Sequence, residues 1–523
     1  MVTDRPHGGV GVVAALEDND VDTVFGIPAS HVIEIYDALR DSRIRTIVGR
    51  NEQACAYSAD GYARRARRPG VTAVTGGPGL GNIVAGLQTA WSDSSPLVAI
   101  TSDLSAELRA AGRRGIPHET FDSRGLAAAT GAAVTTADSS GELYAAVDDA
   151  LAASMAPRRG PAVALLARDA LESGWTAAPT SPPRPRRQAD VPHALIAQAV
   201  DALTSARSPV AIVGHGVLWS DAEAALAEFL GRAAIPAITT SPAVGALASS
   251  HPWWAGTMGD RSAKELIQSA DLALVIGSSL GAASTDDWRW GMPAALVHVD
   301  VDPEEFGRNY PASLAIRCDA RHFLESASGM LAPVGDRPGL VAAKRPRHPW
   351  VDALDSALPV GPTTIVGDVS TTLRWLVRSL HASPRRRLLM PWNSMGLGWS
   401  YAAAIGAQVA APEDAVVSVM GDGGALFSIG ELATAVEHDL PVCLVIFNNR
   451  SYGVIAELQD SLFDGDRFGV DLRTPDFAAV ANAFGVRSWK VDSPRGLHDA
   501  VAQATTTRSP SLIEVAISLE DFV

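Results

Sequence analysis

The sequence predicts an α/β protein made of three consecutive domains, each with a doubly wound parallel sheet. Short β-branched, apolar segments alternate with amphipathic segments along the chain, and this alternation is typical of α/β folds. A chain of 523 residues is also too long for a single hydrophobic core. Two proline-rich segments without periodicity, 177–187 and about 333–349, indicate linkers. They divide the chain into predicted domains at 1–176, 190–333 and 350–523.

The first two predicted domains alternate helix and strand. In the first, strands are expected at 23–28, 44–48, 71–75 and 97–101, and helices at 8–19, 31–42 and 51–67. Its glycine-rich segment 76–82 is expected to be a loop that leads into a helix ending at Trp91. In the middle domain, strands are expected at 210–214, 272–277 and 296–300.

The third predicted domain contains two apolar, β-branched segments, 416–420 and 442–447, that each predict a buried parallel strand. The first ends in Gly421-Asp422-Gly423-Gly424 and the second in Asn448-Asn449, and both endings are expected to be loops. A segment with helical spacing, 428–437, lies between them. This is one βαβ unit, so both strands should end at the same edge of the sheet, where such sheets bind ligands.

The residue types at these two strand ends indicate a magnesium–diphosphate site. Glycines let backbone N–H groups approach an anion closely. The carboxylate of Asp422 would repel that anion unless a cation lay between them. Asp422 and the amide oxygen of Asn449 supply hard oxygen ligands of the kind that Mg²⁺ takes beside phosphates. The alternative is a Gly-Asp turn and an unrelated Asn-rich loop, which the pairing of the two motifs at neighbouring strand ends disfavours.

Composition argues against several classes of protein. The formal net charge of −15 and the lack of a long basic run disfavour nucleic acid and anionic membranes as partners. No apolar run approaches the roughly 18 residues that a membrane-spanning helix needs, and the N-terminus lacks the apolar segment of a signal peptide. Three scattered cysteines, Cys55, Cys318 and Cys443, predict reduced thiols in a cytoplasmic protein without a zinc or disulfide pattern.

Gly421-Asp422-Gly423 followed by Asn448-Asn449 resembles the cofactor motif of the thiamine-diphosphate superfamily that includes acetolactate synthase, pyruvate decarboxylase and benzoylformate decarboxylase. The three α/β domains resemble the pyrimidine-binding, central and diphosphate-binding domains of that superfamily. The segments 59–64 and 471–477 are similar to further family patterns. The resemblance implies thiamine diphosphate and Mg²⁺ as cofactors. It also implies that Asp422, Asn449 and the main-chain carbonyl of Ser451 hold the metal.

Glu52 opens a predicted helix, where the helix dipole alone favours an acid. The resemblance implies a catalytic role instead, in which this glutamate hydrogen-bonds the aminopyrimidine ring and helps its amino group to deprotonate the thiazolium C2. Leu397 is implied to prop the bent cofactor, and the carbonyl of Met395 to accept a bond from the amino group. The implied cofactor-binding set is Glu52, Ser370, Thr371, Met395, Leu397, Gly421, Asp422, Gly423, Gly424, Asn449, Tyr452 and Gly453.

Two histidines are implied to act with Glu52 in catalysis. His31 follows the first strand, at a place where benzaldehyde lyase and related enzymes have a histidine. His118 follows an arginine-rich loop, at a place where acetolactate synthases have a glutamine near the reacting carbon. A histidine there could carry a proton near neutral pH. The alternatives are an N-cap or an exposed loop position for His31, and a surface position on a mobile loop for His118.

The predicted substrate pocket combines polar and aromatic side chains, and its members are Ser30, His31, Thr75, His118, Trp399, Tyr401 and Ile455. Thr75 stands where benzoylformate decarboxylase has a histidine, and Ile455 stands where pyruvate decarboxylase has an acid. Both differences disfavour those two activities. The pocket predicts a medium or large acyl group and leaves the identity of the 2-oxo acid open.

The resemblance implies a lyase or transferase of the acetolactate synthase type. Such an enzyme decarboxylates a 2-oxo acid and either protonates the resulting enamine or adds it to a second carbonyl. A homodimer or homotetramer with active sites at the subunit interface is implied as well. One alternative is a flavin-dependent 2-oxo acid oxidase, since the segments 214–216 and 277–281 resemble a flavin-binding domain, although glycine patterns alone are weak support for FAD. A second alternative is a non-catalytic thiamine-diphosphate-binding protein. The presence of Glu52 disfavours this alternative.

Overall fold

A computed structural model describes residues 6–176, 191–331 and 345–518. The predicted linker at 177–187 and most of the one at 333–349 lie outside these residues, so the domain boundaries stay a prediction. The described chain forms three separate sheets, and every strand pairing within them is parallel. The predicted fold class, three consecutive doubly wound α/β domains, is confirmed.

Each sheet has six strands. The first has the order β2-β1-β3-β4-β6-β5 and consists of β1 (Thr23–Gly26), β2 (Arg45–Val48), β3 (Gly70–Val74), β4 (Leu97–Asp103), β5 (Ala133–Ala137) and β6 (Ala162–Ala167). The second has the order β12-β11-β10-β7-β8-β9 and consists of β7 (Pro209–Val213), β8 (Ala237–Thr239), β9 (Trp254–Thr257), β10 (Leu272–Ile276), β11 (Ala295–Asp300) and β12 (Leu314–Arg317). The third has the order β14-β13-β15-β16-β18-β17 and consists of β13 (Thr363–Gly367), β14 (Arg386–Leu389), β15 (Ala415–Gly421), β16 (Val442–Asn448), β17 (Arg487–Val491) and β18 (Ser511–Ala516).

Helices flank each sheet. Around the first lie α1 (Gly8–Asp18), α2 (Ile33–Arg40), α3 (Glu52–Ala66), α4 (Pro78–Asn82), α5 (Val84–Ser92), α6 (Ala106–Ala110), α7 (Ser123–Ala128), α8 (Leu143–Ser154) and α9 (Arg168–Glu172). Around the second lie α10 (His193–Ser205), α11 (Gly216–Trp219), α12 (Glu223–Ala233), α13 (Arg261–Ser269), α14 (Ala282–Thr285) and α15 (Ala320–Met330). Around the third lie α16 (Pro349–Ala357), α17 (Thr371–Ser379), α18 (Trp399–Ala410), α19 (Asp422–Ser428), α20 (Leu432–Glu437), α21 (Gly453–Leu462), α22 (Phe477–Ala483) and α23 (Pro494–Thr507). No helix in the described part of the chain is long and apolar enough to span a membrane.

Two glycine-rich segments that were predicted to be loops are partly helical. Asp422 begins α19 directly after β15, and the predicted helix 428–437 is interrupted by a 3₁₀ turn at Ile429–Glu431. An acid in the first turn is favoured by the helix dipole, which explains how a Gly-Asp sequence can open a helix. In the first domain α4 begins at Pro78, because proline suits the first helical position after Gly77, whose φ is +62°.

Helix α3 of the first domain packs closely against α18 of the third domain. A Cβ atom added at Gly61 would lie 2.1 Å from the carbonyl oxygen of Ala403, and one at Gly406 would lie 1.8 Å from that of Ser58. Both positions therefore require glycine, since a side chain would separate the two helices. Ser58 Oγ also donates to the Ala402 carbonyl at 2.8 Å. This contact joins the predicted pyrimidine-binding and diphosphate-binding domains of one chain.

A buried guanidinium completes the contact between α3 and α18. Arg64 donates through Nε to Asp60 at 3.0 Å, through Nη2 to Asp93 at 3.0 Å and through Nη1 to the Met390 carbonyl at 2.8 Å. The indole of Trp399 donates to Asp60 Oδ2 at 2.8 Å. All of these side chains are buried, so the two carboxylates depend on Arg64 for their charge balance.

Replacing Arg64 with methionine is expected to lower the stability by about 3–5 kcal/mol, because two carboxylates would stay buried without a cation. The thermal unfolding midpoint of the full chain measures this loss. Arg68→Met is the matched control, since Arg68 pairs with Asp22 at the surface and exposed pairs contribute at most about 1 kcal/mol. Equal shifts for the two variants would contradict this account of the contact.

Candidate active site

Three neighbouring strands of the third sheet, β13, β15 and β16, end side by side in the predicted metal and diphosphate residues. Asp422 is almost fully buried, and its Oδ2 has no hydrogen-bond partner among the described residues. Burial raises the pKa of this carboxyl to about 6, although backbone N–H groups of its loop oppose the shift. Asn449 Oδ1 accepts from the Ser451 N–H at 3.0 Å. A buried, unpaired carboxylate oxygen is a position that a cation would satisfy.

The glycines of this site leave room where side chains from other strand ends approach. A Cβ atom at Gly423 would lie 2.6 Å from the Tyr452 ring, and one at Gly424 would lie 2.3 Å from Asp368 Oδ2. A Cβ atom at Gly421 would be in ordinary contact with Ser370 Cβ at 3.7 Å. The predicted diphosphate residues from β13, β15 and the start of α21 therefore meet at one place.

Helix α17, which follows the loop after β13, is fixed to α21, the helix that follows the predicted metal residues. Thr371 Oγ1 donates to Glu457 of α21 at 3.2 Å, and Arg374 donates to the same carboxylate at 2.7 Å. The hydroxyl groups of Ser370 and Thr372 lie 2.6 Å apart. Gly453 begins α21 directly after Tyr452. The predicted diphosphate residues after β13 and at the start of α21 are thus connected to each other. These residues are Ser370, Thr371, Tyr452 and Gly453.

The oxygen ligands at this edge suit a hard cation beside a diphosphate. Among the described residues, no group of three or more His, Cys, Asp or Glu side chains could hold a metal. Asp422, the Asn449 amide oxygen and the Ser451 carbonyl would instead supply part of an octahedral set, and phosphate oxygens and water would supply the rest. The orphaned Asp422 oxygen, with the Arg450 and Ser451 N–H groups of the second strand end close to the same carboxyl group, is the feature that fits Mg²⁺ beside thiamine diphosphate.

Asp368 shapes the cofactor loop that precedes α18, although sequence analysis gave it no role. Its fully buried carboxylate accepts from the N–H groups of Gly398 at 3.0 Å and Ser400 at 3.1 Å. Burial raises its pKa to about 6, against the effect of these hydrogen bonds. Met395 is about half exposed and adopts a left-handed backbone with φ +51°. Leu397, two residues further on, is half-buried directly before Gly398.

Two predicted pocket residues are placed elsewhere by the structure. Trp399 and Tyr401 have no exposed surface and lie in the core between α3 and α18. Trp399 bonds Asp60, and burial raises the pKa of the Tyr401 phenol far above its usual value. The prediction that they line the substrate pocket is wrong, because both side chains are enclosed in the core and present no surface to a pocket. Ile455 is exposed on α21.

The first sheet carries the other half of the predicted site. Glu52 is the first residue of α3 and is half-buried. Its Oε2 accepts from Asn82 Nδ2 at 2.9 Å, and the preceding residue, Asn51, caps the helix by accepting from the Gln53 N–H at 2.8 Å. Asn82 therefore orients the carboxylate, and the Asn51 cap fixes the start of its helix, at the carboxyl edge of the sheet. From the sequence, Asn82 was expected in the glycine-rich loop 76–82 and was assigned no role.

His31, Thr75 and His118 come together above this edge. The two imidazole rings are 4.2 Å apart between centroids, and Thr75 Oγ1 lies 3.1 Å from His118 Nδ1. His31 is 6% exposed, and the N-cap of α2 is Val32, so both alternative positions for His31 are wrong. Ser30 is exposed. His118 is partly buried, with a left-handed backbone at φ +64°.

Arg168 was not predicted as a site residue. It begins α9 directly after β6, and its Nη1 lies 3.1 Å from His31 Nε2. The signal that could have identified it is a strand at 162–167, whose carboxyl end lies at the ligand-binding edge of a parallel sheet. That strand was not among the expected ones.

The two halves of the predicted site are not hydrogen-bonded to each other within one chain. No hydrogen bond of the described residues joins Glu52 or the histidine pair to Asp422, Asn449 or Ser451. The segment before Glu52 instead contacts the far end of the α19–α20 region. There Glu431 accepts from the Arg50 N–H at 3.1 Å, and His438 Nε2 accepts from the Val48 N–H at 3.0 Å.

The glycine segments of the middle domain also come together. A Cβ atom at Gly277 would lie 2.7 Å from the Cα atom of Gly216, so the two segments touch. They line a cavity of about 370 Å³ together with His215, Asp300 and Trp392. Burial lowers the pKa of His215 to about 3, which keeps this ring neutral. Flavin binding here stays a prediction.

Comparison with known protein families gives three matches in succession. Residues 6–126 match the thiamine pyrophosphate enzyme N-terminal TPP binding domain, residues 196–327 match the thiamine pyrophosphate enzyme central domain, and residues 368–515 match the thiamine pyrophosphate enzyme C-terminal TPP binding domain.

Curated relatives match the chain over nearly its whole length. The probable 2-ketoarginine decarboxylase of Pseudomonas aeruginosa is 35% identical over 91% of this chain and 88% of its own. The acetolactate synthase isozyme 2 large subunit of Escherichia coli is 29% identical over 98% of this chain and 95% of its own. The probable acetolactate synthase large subunit of Methanocaldococcus jannaschii is 29% identical over 98% and 92%. This chain belongs to the thiamine pyrophosphate enzyme family.

Proposed function

We propose that the protein is a thiamine-diphosphate- and Mg²⁺-dependent enzyme that decarboxylates a 2-oxo acid, joins the resulting acyl unit to a second carbonyl, or does both. The observation that carries this proposal is the buried, unpaired Oδ2 of Asp422, close to the N–H groups of Arg450 and Ser451 that directly follow Asn449. The relatives, acetolactate synthases and a 2-ketoarginine decarboxylase, support the choice of a 2-oxo acid.

Each group of residues has a distinct role in this proposal. Asp422, Asn449 and Ser451 would hold Mg²⁺, and Ser370, Thr371 and the three glycines would surround the diphosphate. Glu52 would hold the aminopyrimidine through its half-buried carboxylate, which Asn82 orients. When bound, thiamine diphosphate supplies the nucleophilic carbon and the electron sink for loss of CO₂. His31 and His118 would face the substrate and position or transfer protons.

A second copy of the chain would complete the site. The exposed apolar side chains Ile455, Leu458 and Leu462 lie on one face of α21, next to the metal residues. Leu426 and Phe427 of α19 are exposed apolar side chains as well. Such a patch marks an interface, and a two-fold dimer would use it twice. We therefore propose at least a homodimer, in which Glu52 of one copy faces Asp422 of the other.

A panel of 2-oxo acids tests the activity. Short aliphatic, aromatic, acidic and guanidino substrates are supplied with and without an aldehyde acceptor, and CO₂ and product mass are both measured. We expect CO₂ release from at least one substrate, and its loss when thiamine diphosphate is omitted or Mg²⁺ is removed with EDTA. Release that survives both removals, or turnover that needs a bound flavin and O₂, would contradict the proposal.

Replacing Glu52 with glutamine is expected to reduce turnover at least about a hundredfold, because the amide cannot serve the aminopyrimidine as an acid. The thermal midpoint should stay close to that of the wild type, since Glu52 is half-buried at a helix start. Glu107→Gln is the control, an exposed acid in the first turn of α6. Full turnover in the Glu52 variant would rule out this role.

A further inference from the structure

Arg168 reaches the histidine pair from the carboxyl end of β6. Its Nη1 lies 3.1 Å from His31 Nε2, and its Nε donates to Glu172 at 2.6 Å. A guanidinium has donors and no acceptor, so His31 Nε2 must accept this hydrogen bond. His31 therefore carries its proton on Nδ1 and is neutral in this arrangement.

The loop after β3 fixes the position of the proton on the His118 ring. Its Nδ1 lies 3.3 Å from the Gly76 carbonyl oxygen and 3.1 Å from Thr75 Oγ1. A carbonyl oxygen only accepts, so Nδ1 of His118 carries a proton. No described residue hydrogen-bonds its Nε2. This nitrogen is the one in the pair that can gain and release a proton.

The backbone near His118 is adapted to this placement. His118 has φ +64°, an uncommon conformation for a non-glycine residue. Gly77 has φ +62°, and a Cβ atom there would lie 2.7 Å from the His118 carbonyl oxygen. Gly77 therefore permits the close approach of the two loops that brings His118 onto His31.

The charges around His31 decide which ring of the pair is protonated. Two cationic rings 4.2 Å apart would repel each other, so the pair accommodates one added proton. The charged or titratable groups that face His31 are His118, Arg168 and Glu172. Burial, His118 and Arg168 lower the pKa of His31, whereas Glu172 raises it. Arg168 and burial therefore disfavour protonation of His31.

We propose that Arg168 is a positioning residue that keeps His31 as a fixed, neutral Nδ1–H donor and leaves His118 as the proton carrier. This inference rests on the proposed function for its chemistry. In each cycle, His118 Nε2 takes one proton from solvent and becomes an imidazolium. It then passes that proton to the reacting oxygen or carbon of the substrate and returns to the neutral form.

The protonation state of His31 tests this inference without any turnover. The full-length protein, selectively labelled with ¹⁵N-histidine and free of cofactor, is titrated by NMR, and His31→Gln identifies the His31 signal. We expect a neutral Nδ1–H ring in the wild type. In Arg168→Met the titration midpoint of His31 should rise by about one pH unit, because a nearby positive charge has been removed.

Two further variants separate this role from a structural one. Arg168→Lys keeps a donor and a positive charge, so it should keep the Nδ1–H form. Glu172→Gln keeps the guanidinium and removes the acid that raises the pKa of His31, so its midpoint should fall. Local unfolding would not move the His31 titration midpoint in opposite directions in Arg168→Met and Glu172→Gln. An unchanged His31 in Arg168→Met, or shifts of the same sign, would overturn the inference.

Kinetics give a second readout once a substrate is found. Arg168→Met should lower kcat about tenfold, leave KM within about twofold, and move the acidic limb of the kcat/KM profile to higher pH. Arg168→Lys should restore most of kcat. A KM increase without a change in pH profile would mean that Arg168 binds substrate directly, and would overturn the positioning role. If no 2-oxo acid is turned over, the proposed function fails while the NMR result still decides the state of His31.

Discussion

The buried guanidinium of Arg64 is the interaction on which the arrangement of the first and third domains depends. It holds Asp60 on its own helix and Asp93 after α5, and it bonds the carbonyl of Met390. Asp93 in turn accepts from the backbone of Trp392 and Asn393. These are the residues that lead into the predicted cofactor loop. One cation therefore fixes both the contact between α3 and α18 and the start of that loop.

The same contact separates the two halves of the predicted site. Helix α3 begins with Glu52, and its contact with α18 lies further along the helix, at Ser58 and Gly61. Glu52 stays at the edge of the first sheet, and Asp422 stays at the edge of the third. A scaffold that holds the two halves at the edges of different sheets suits a site shared between two copies.

Much of the fold was predictable from the sequence because buried parallel strands are continuous β-branched runs that end in glycine, proline or asparagine. The strands ending at Gly421 and Asn448 are the clearest examples. The helical start at Asp422 was missed, since its glycines favour loops until tertiary packing closes the turn. Trp399 was misplaced, because a sequence motif does not indicate which helix face is buried. Arg168 was missed because its contact with His31 spans 137 residues.

Mixing two inactive variants tests most directly whether a second copy completes the site. Glu52→Gln disables the Glu52 half of a site, and Asn449→Ala disables the metal half. If each site takes one half from each copy, a mixed dimer has one site with both halves intact and one with neither. Equal co-expression should therefore restore about one quarter of wild-type turnover, because half of the dimers are mixed and each has one working site. Turnover no higher than that of the separate variants, with mixed dimers isolated by two different tags, would contradict the account.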